Sequence, residues 1–314
     1  MNNVYEIVLS LFLYLVIKPL LLICKIILYE KKYKKFCFIL IGLINYLYPL
    51  NRIKELRRNE IKYNLINYHE ESDKKGINLY FKCNSPLEII KNKKILDFGC
   101  GVGGKDCELI KFNPKKIIGI DLSERNIKYA RKLINQKTKK RLFFYKKDIL
   151  LLKEKFDTIL SFTVFEHLKK KELIQILNKM ADLLKKKGKV IIVFNHYNDR
   201  FGTHLKEYIY HPWPQTIFEE EILFKYWNSK LKKDKKISQK SYFPIQYEHG
   251  INSPNSDCFM NLNKVTIQEF EEIIKKSKLR LLNKYLYSKS FLLKLLPFLP
   301  KKYLIGSAVY FLKK

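Results

Sequence analysis

The sequence predicts an α/β fold with a seven-stranded, mostly parallel sheet and helices on both faces. Short apolar runs alternate with helix-like segments from residue 94 onward, which is typical of βαβ units. A glycine-rich turn follows the first of these runs and precedes a helix-like segment. Acidic or hydroxyl side chains end four of the runs, at the position where open parallel sheets bind ligands.

The predicted elements follow from hydrophobic periodicity and from the residues that start and stop helices. The predicted strands are Ile95–Asp97, Ile117–Asp121, Leu142–Tyr145, Thr158–Ser161, Lys189–Phe194, Arg280–Tyr287 and Tyr303–Leu312. Helices are predicted at Arg52–Tyr68, Lys105–Lys111, Glu124–Leu133 with Ser123 as N-cap, Lys170–Leu184 ended by Gly188, Phe218–Asn228, and from Thr266 to Ser277. The lysine-rich stretch Lys230–Lys236 is predicted to be a solvated loop.

The turn after the first predicted strand has glycine at three alternate positions, Gly99, Gly101 and Gly103. Without Cβ atoms such a turn can be tight, and a ligand can lie against its backbone N–H groups. Asp97 stands where a cationic amine could be held. Asp121 ends the next strand about 20 residues later, the spacing at which a carboxylate can bind ribose hydroxyls. A turn that serves chain geometry alone is the alternative.

These residues, Asp97-Phe98-Gly99-Cys100-Gly101-Val102-Gly103, resemble the first motif of the class I methyltransferases that use S-adenosylmethionine. The resemblance runs from about Ile95 to Val193 and is specific for cofactor and reaction class rather than for substrate. It implies a Rossmann-like fold with an antiparallel last strand, and S-adenosylmethionine as the cofactor. The residues that it implies for cofactor binding are Asp97, Gly99, Cys100, Gly101 and Gly103 for the methionine part, Asp121 for the ribose, Leu122, Asp148 and Ile149 for the adenine, and Ser161 for the methionine amine.

Candidates for a catalytic base follow the fourth predicted strand, at Glu166 and His167. Attack on a sulfonium methyl mainly needs alignment, and a base is needed only when the acceptor is a poorly acidic hydroxyl. His167 would titrate near neutral pH. The Glu-His-Leu stretch resembles quinone-biosynthesis O-methyltransferases, and His204 and His211 stand in segments that resemble their relatives. For each of these side chains a structural role is the alternative.

The sequence gives no reason to expect a metal site. Its six cysteines contain no CxxC pair, so a reduced, intracellular protein is expected. Small-RNA 2′-O-methyltransferases also carry Glu-His after this strand, with an additional metal-binding Glu three residues earlier. Here Thr163 occupies that position, which argues against the metal and against that substrate.

The chain is strongly basic, with 62 Lys and Arg against 30 Asp and Glu and a formal charge of +32. Such an excess could serve nucleic acid, an anionic membrane or an acidic substrate. Because the lysines are spread along the whole chain, compositional bias is the alternative.

Two apolar segments precede the predicted sheet. Residues 4–29 are apolar except for Lys18-Pro19 in the middle, whereas a span needs about 20 apolar residues without a central charge. A bent helix or a hairpin within one leaflet is therefore predicted, followed by basic residues 31–35 against anionic headgroups and by a second apolar stretch, Phe36–Leu50. A buried helical pair is the alternative. No secretory signal is expected.

The predicted organisation is a membrane-associated segment at residues 1–50, a helical lead-in at 51–93 and a methyltransferase domain at 94–314, with a substrate-side insertion at 195–263. A further apolar stretch, Phe291–Leu299, is predicted to touch the membrane. The expected function is methyl transfer at the cytoplasmic membrane surface to oxygen on a small-molecule, lipid-linked, quinone-like or glycan acceptor. An RNA methyltransferase that uses the basic surface, and a non-catalytic membrane-peripheral binding protein, are the alternatives.

Overall fold

The computed structural model describes residues 12–47, 86–199, 202–205, 208–233, 258–259, 262–287 and 305–314. The chain divides into two compact units. The apolar unit contains Met1–Asn59, His196–Thr266 and Tyr287–Gly306, and the sheet unit contains Glu60–Asn195, Ile267–Leu286 and Ser307–Lys314. The predicted helix at 52–68 and the apolar stretch at 291–299 lie outside the described residues, and so does the predicted boundary at residue 50.

Seven strands form one sheet in the order β3-β2-β1-β4-β5-β9-β8. The strands are β1 (Lys94–Phe98), β2 (Lys116–Asp121), β3 (Leu142–Lys146), β4 (Phe156–Phe162), β5 (Leu184–Asn195), β8 (Arg280–Tyr287) and β9 (Ser307–Lys313), while the short β6 (Cys258–Phe259) and β7 (Leu262–Asn263) pair with each other. Strands β1 to β5 run parallel, and β9 pairs antiparallel with β5. The predicted Rossmann-like sheet with an antiparallel last strand is confirmed.

Eight α-helices accompany these strands in the described ranges. They are α1 (Lys18–Ile27), α2 (Glu30–Leu47), α3 (Pro86–Ile90), α4 (Gly104–Leu109), α5 (Glu124–Lys132), α6 (Leu173–Leu183), α7 (Glu220–Lys233) and α8 (Ile267–Lys275). A π-helical turn, Leu13–Ile17, leads into α1. The predicted cap of α5 is present, because the Ser123 hydroxyl accepts a hydrogen bond from the Asn126 N–H at 3.3 Å.

A cluster of buried aromatic rings forms part of the core of the sheet unit. Phe270 on α8 stacks on Phe194 of β5 with ring centroids 4.4 Å apart, and its ring also meets Tyr310 of β9 and Phe165, each at 5.3 Å. All four side chains are buried. Burial of aromatic rings at these distances adds favourable ring contacts to the hydrophobic term, which fixes α8 over this part of the sheet.

Strand β8 forms one edge of the sheet and is the most exposed strand in it. Leu281, Leu282 and Leu286 are each 44% exposed. Lys284, in the middle of the strand, forms an ion pair with Glu271 of α8 at 2.8 Å.

The predicted start of the fifth strand at Lys189 was wrong, and so was the predicted role of Gly188 in ending the preceding helix. Helix α6 ends at Leu183, and the chain enters β5 directly at Leu184, with the register against β4 shifted between Leu184 and Lys189. Lys187 takes a left-handed φ of +66°, and Gly188 lies where a Cβ atom would be 3.0 Å from the Lys185 carbonyl oxygen. The glycine therefore serves an irregular strand rather than a helix terminus.

Two further predicted boundaries also change. The lysine-rich loop predicted from Lys230 begins as the last turn of α7, which continues to Lys233, while residues 234–236 lie outside the described range. The last strand begins at Ser307, and residues 303–304 lie outside the described range. Exposed lysines carry little periodic signal, so their secondary structure follows from the neighbouring packing.

The apolar unit has its own core, built mainly from α1, α2 and α7. Its fully or nearly fully buried side chains include Leu13, Leu21, Cys37, Ile41, Leu205, Ile209, Ile222, Leu223 and Trp227. The residues predicted as an insertion therefore share a core with the N-terminal helices. Within the described residues, no helix combines the length and the apolar character needed to cross a bilayer.

A buried asparagine joins α2 to the loop before α7. The Asn45 amide donates to the Tyr208 carbonyl oxygen at 2.7 Å and accepts from the Tyr210 N–H at 3.0 Å. Both backbone groups are fixed by one side chain that is itself buried. A buried polar group of this kind stabilises only while its partners are present.

Asn45→Ala is expected to lower the free energy of unfolding by about 1–3 kcal/mol, because it removes the buried side-chain hydrogen bonds to the backbone of Tyr208 and Tyr210. Denaturant unfolding followed by tryptophan fluorescence measures the change, since Trp227 lies in the same core. Asn178→Ala on α6 is a control in a part-exposed position. Equal stability of Asn45→Ala and the wild type would contradict the assigned role.

Candidate functional site

The carboxyl ends of the central parallel strands bring together most of the predicted cofactor residues. In the register of β1 and β2, Asp97 lies opposite Gly119, and Phe98 lies opposite Ile120 and, on the other side, Ser161 of β4. Asp121 is the last residue of β2. Asp97 and Ser161 are buried, whereas Asp121 is partly exposed. The three side chains therefore belong to one edge of the sheet.

The turn after β1 is held against β2 by its own backbone. The N–H groups of Gly99 and Cys100 both donate to the Ile120 carbonyl oxygen, at 2.9 and 3.0 Å. Gly99, Gly101 and Gly103 have φ values of +73°, +56° and +79°, a region that costs other L-residues free energy. The alternate glycines are thus required by the path of the chain.

The three glycines differ in what surrounds them. A Cβ atom on Gly99 would lie 2.3 Å from a methyl group of Val164, and one on Gly103 would lie 2.6 Å from the Phe144 ring. A Cβ atom on Gly101 would meet no atom within 4 Å. Gly99 and Gly103 therefore allow close packing of the chain, while Gly101 borders open space that a ligand can fill.

Asp121 connects the turn to the start of α5. Its Oδ2 accepts from the Gly101 N–H at 3.0 Å, and its Oδ1 accepts from the Ser123 N–H at 2.8 Å. The Asn126 side-chain amide also reaches Oδ1 at 3.4 Å. The carboxylate is thereby oriented at the mouth of the turn and remains partly exposed, so it can also accept from a ligand's hydroxyls.

The predicted adenine side of the site follows β2 and β3. Leu122, directly after Asp121, is 60% exposed. Asp148 accepts from the Leu150 N–H at 2.9 Å and so starts a short 3-10 turn, Ile149–Leu151, in which Ile149 is buried. An exposed leucine beside a carboxylate suits a flat, apolar heterocycle with polar edges.

Three further side chains lie at this edge, and the sequence reasoning missed that two of them, Lys105 and Asp106, are buried ionisable groups. Lys105 and Asp106, in the first turn of α4, are both buried, and the Lys105 ammonium lies 5.0 Å from the centre of the Phe162 ring. Burial raises the pKa of the Cys100 thiol well above its usual range, with nearby Asp106 and Asp97 acting in the same direction. The thiol therefore stays neutral. The signal for the buried pair was a Lys-Asp sequence directly after the glycines.

Glu166 and His167 lie in a 3-10 turn after β4. The turn follows Thr163, whose φ of +53° is unusual for a β-branched residue. Burial raises the pKa of the Glu166 carboxyl to about 8, although Asn195 and the Lys105 ammonium act to lower it. His167 is partly exposed. At neutral pH the buried acid is therefore mostly protonated and can donate a hydrogen bond.

The other two predicted catalytic histidines belong to the apolar unit. His211 is fully buried, and its ring meets Phe218 edge-to-face at 5.8 Å between centroids. Burial lowers the pKa of its imidazole to about 3, so the ring is neutral at physiological pH. His204 is partly exposed and has a left-handed φ of +56°. Their catalytic roles stay predictions.

The described residues contain no cluster of three or more His, Cys, Asp or Glu side chains arranged to hold a metal ion.

Comparison with known proteins identifies the class to which this segment belongs. Residues 89–243 match the family model described as a methyltransferase domain. The sheet order and the glycine turn lie largely within this segment, so the chain carries a methyltransferase domain. The methyltransferase family predicted from the sequence is confirmed.

The chain is also similar to a ubiquinone biosynthesis O-methyltransferase from Pelagibacter ubique, with 32% identity over 147 residues. The alignment covers 46% of this chain and 54% of that protein, so the chain spans about half the length of the curated relative.

Solved structures with low sequence identity align over much of the chain. The PH0226 protein from Pyrococcus horikoshii is 18% identical, with a TM-score of 0.49 over 83% of this chain and 98% of that one. A magnesium protoporphyrin IX methyltransferase from Synechocystis is 13% identical, with a TM-score of 0.44 over 78% and 83%.

Glu166→Gln is expected to change how stability depends on pH. Because the pKa of the carboxyl rises from 4.5 to about 8 on folding, the folded state binds the extra proton between these values. The favourable contribution of the protonated acid is complete below pH 4.5 and is lost as pH rises through 8, an effect on the order of a few kcal/mol. Urea unfolding of both proteins from pH 5 to pH 8.5 measures it, and a pH-independent difference between them would contradict the assignment.

Gly101→Ala and Gly103→Ala are expected to fail in different ways. Both residues have positive φ, so each substitution costs about 1–2 kcal/mol of stability from the backbone alone. Gly103→Ala adds the clash with Phe144 and is expected to be the less stable protein. Gly101→Ala fills open space and is expected to weaken S-adenosylmethionine binding at least tenfold in calorimetry. Unchanged binding by Gly101→Ala would show that this space is not part of the ligand site.

Proposed function

We propose that this protein is a methyltransferase that transfers a methyl group from S-adenosylmethionine to oxygen on a small-molecule acceptor. The observation that carries the proposal is the set of acidic residues at the ends of β1, β2 and β3 around a turn in which Gly101 borders open space. Such carboxylates can accept hydrogen bonds from the three donor groups of S-adenosylmethionine, namely its cationic amine, its ribose diol and its adenine amino group.

The residues present fit this cofactor. We assign the methionine part to Asp97 and the turn from Gly99 to Gly103, the ribose to Asp121, and the methionine amine to Ser161. Leu122, Asp148 and Ile149 would surround the adenine. S-adenosylmethionine supplies an electrophilic methyl group on a positively charged sulfur. The carboxylates of Asp97 and Asp121 would favour a cationic ligand over a neutral one.

Two side chains that follow β4, Glu166 and His167, are the candidates for hydrogen bonding to the acceptor and for removing its proton. Glu166 is protonated at neutral pH and suits a hydrogen-bond donor, so it is a poor general base there. His167 is the better base candidate, since it is partly exposed in the turn after β4. Because methyl transfer depends mainly on alignment, loss of His167 is expected to matter only for a poorly acidic hydroxyl.

The acceptor that we propose is quinone-like, lipid-linked or a glycan, met at a membrane surface. Similarity to a ubiquinone biosynthesis O-methyltransferase over 147 residues supports the quinone-like class. The apolar side chains exposed on α1 support an acceptor that partitions into lipid.

Asp121→Ala is expected to weaken S-adenosylmethionine binding at least tenfold, because it removes a charged acceptor from the ribose and loosens the Gly101 turn. Asp121→Asn retains an oxygen for the turn and separates the two effects. Asp157→Asn is the matched control. Asp157 lies near the amino end of β4, away from the carboxyl edge of the sheet, and accepts a hydrogen bond from the Lys94 N–H at 2.9 Å. Isothermal titration calorimetry measures all three.

Transfer of a labelled methyl group from S-adenosylmethionine to lipid and glycan extracts tests the acceptor class. We expect label in the organic phase with the wild type and none with Asp121→Ala. Wild-type binding by both Asp121 variants, or no binding by the wild type, would contradict the proposed function.

A further inference from the structure

The N-terminal helices have two faces with opposite surroundings. In α1 and the turn before it, the side chains that pack into the core of the apolar unit are Leu13, Ile17, Leu21, Cys24 and Leu28. The opposite side is also apolar but exposed, with Leu15, Leu22, Ile23, Ile26 and Ile27 all more than half exposed and Ile26 at 86%. An exposed apolar face of this size on a helix indicates a surface that another molecule covers.

The outward face of α2 is divided along its length. Lys32, Lys35, Ile39, Leu43 and Tyr46 are all exposed and recur at helical spacing, so they form one stripe. The inward face carries Tyr33, Cys37, Ile41 and Ile44, all buried. The stripe is basic where α2 begins, next to the end of α1, and apolar toward its carboxyl end.

The charge at the turn between the helices is positive and mostly unneutralised. Residues 12–47 contain six lysines and one acid, Glu30. Glu30 is bound by Lys34, which also pairs with Glu221 at 3.0 Å. Among the described residues, Lys31, Lys32 and Lys35 form no ion pair, and Lys32 lies 4.8 Å from the Tyr29 ring centre.

The arrangement distinguishes among the surfaces that could cover it. A protein interface centre is typically depleted of lysine, and neither of two like copies would neutralise the three lysines of the other. A lipid leaflet with anionic headgroups offers acyl chains to the apolar face and negative charge to the lysines. Tyr14, Tyr29 and Tyr46 are exposed beside these groups, as is typical at a membrane interface.

From these exposed apolar faces and lysines we infer that α1 and the outward stripe of α2 bind an anionic lipid leaflet, with both helices lying in the plane of the membrane. The apolar side chains of α1 enter the acyl boundary, and Lys31, Lys32 and Lys35 contact the headgroups. The inference deepens the proposed function, which places the acceptor at a membrane surface, but the binding requires no methyl transfer.

Flotation of the purified full chain with vesicles tests the surface. Vesicles of phosphatidylcholine with about one-third phosphatidylglycerol are expected to carry the protein upward, and phosphatidylcholine alone much less. The variant K31Q/K32Q/K35Q is expected to lose on the order of a hundredfold in affinity for the anionic vesicles, since each lysine near the surface contributes about fivefold. The matched control K137Q/K139Q/K140Q removes three exposed lysines of the sheet unit and is expected to bind as the wild type.

The double variant I23E/I26E is expected to abolish flotation, while Leu151→Glu, at another exposed apolar position, is expected to leave it unchanged. Equal binding by I23E/I26E and the wild type, or equal losses in both lysine triples, would overturn the inference. Light scattering without lipid is the last check. Dimerisation that I23E/I26E abolishes would assign the face to a second copy and also overturn it. Calorimetry with S-adenosylmethionine on the same samples separates this failure from failure of the proposed function.

Discussion

The pair of hydrogen bonds at Asp121 is the interaction on which the candidate site depends. One oxygen of the carboxylate holds the Gly101 N–H, and the other holds the Ser123 N–H. The end of β2, the glycine turn after β1 and the first turn of α5 are thereby fixed relative to one another. A parallel sheet places the ends of β1 and β2 side by side. The Asp121 carboxylate then fixes the position of the glycine turn by its hydrogen bond to Gly101.

Much of the fold was predictable because the strands of a parallel sheet are buried and continuously apolar. β1, β2 and β4 were found within two residues of their ends. The start of β5 was mispredicted at Lys189, because three lysines and a glycine precede that residue and only pairing with β4 shows that the strand begins at Leu184. The positions of Asp97 and Asp121 followed from the strand ends. The burial of Lys105, Asp106 and Glu166 did not, because charged residues are usually exposed and only the tertiary structure removes them from water.

The two units bury their apolar residues in different ways. In the sheet unit apolar residues meet across strands and beneath α8. In the apolar unit a few helices must bury a large hydrophobic content, and α1 leaves much of its apolar surface exposed. A polar group within such a core restricts which packing is allowed, and Asn45 has this effect between α2 and the backbone at Tyr208 and Tyr210.

Strand β8 has a consequence for behaviour at high concentration. An edge strand with exposed leucines can pair with strands of other molecules, which is the first step of fibre growth. The charged side chains of this edge strand are Arg280 at its start and Lys284 in its centre, which pairs with Glu271 of α8. Pairing with a second copy along this edge would bury both charged side chains, so Arg280 and Lys284 disfavour lateral growth.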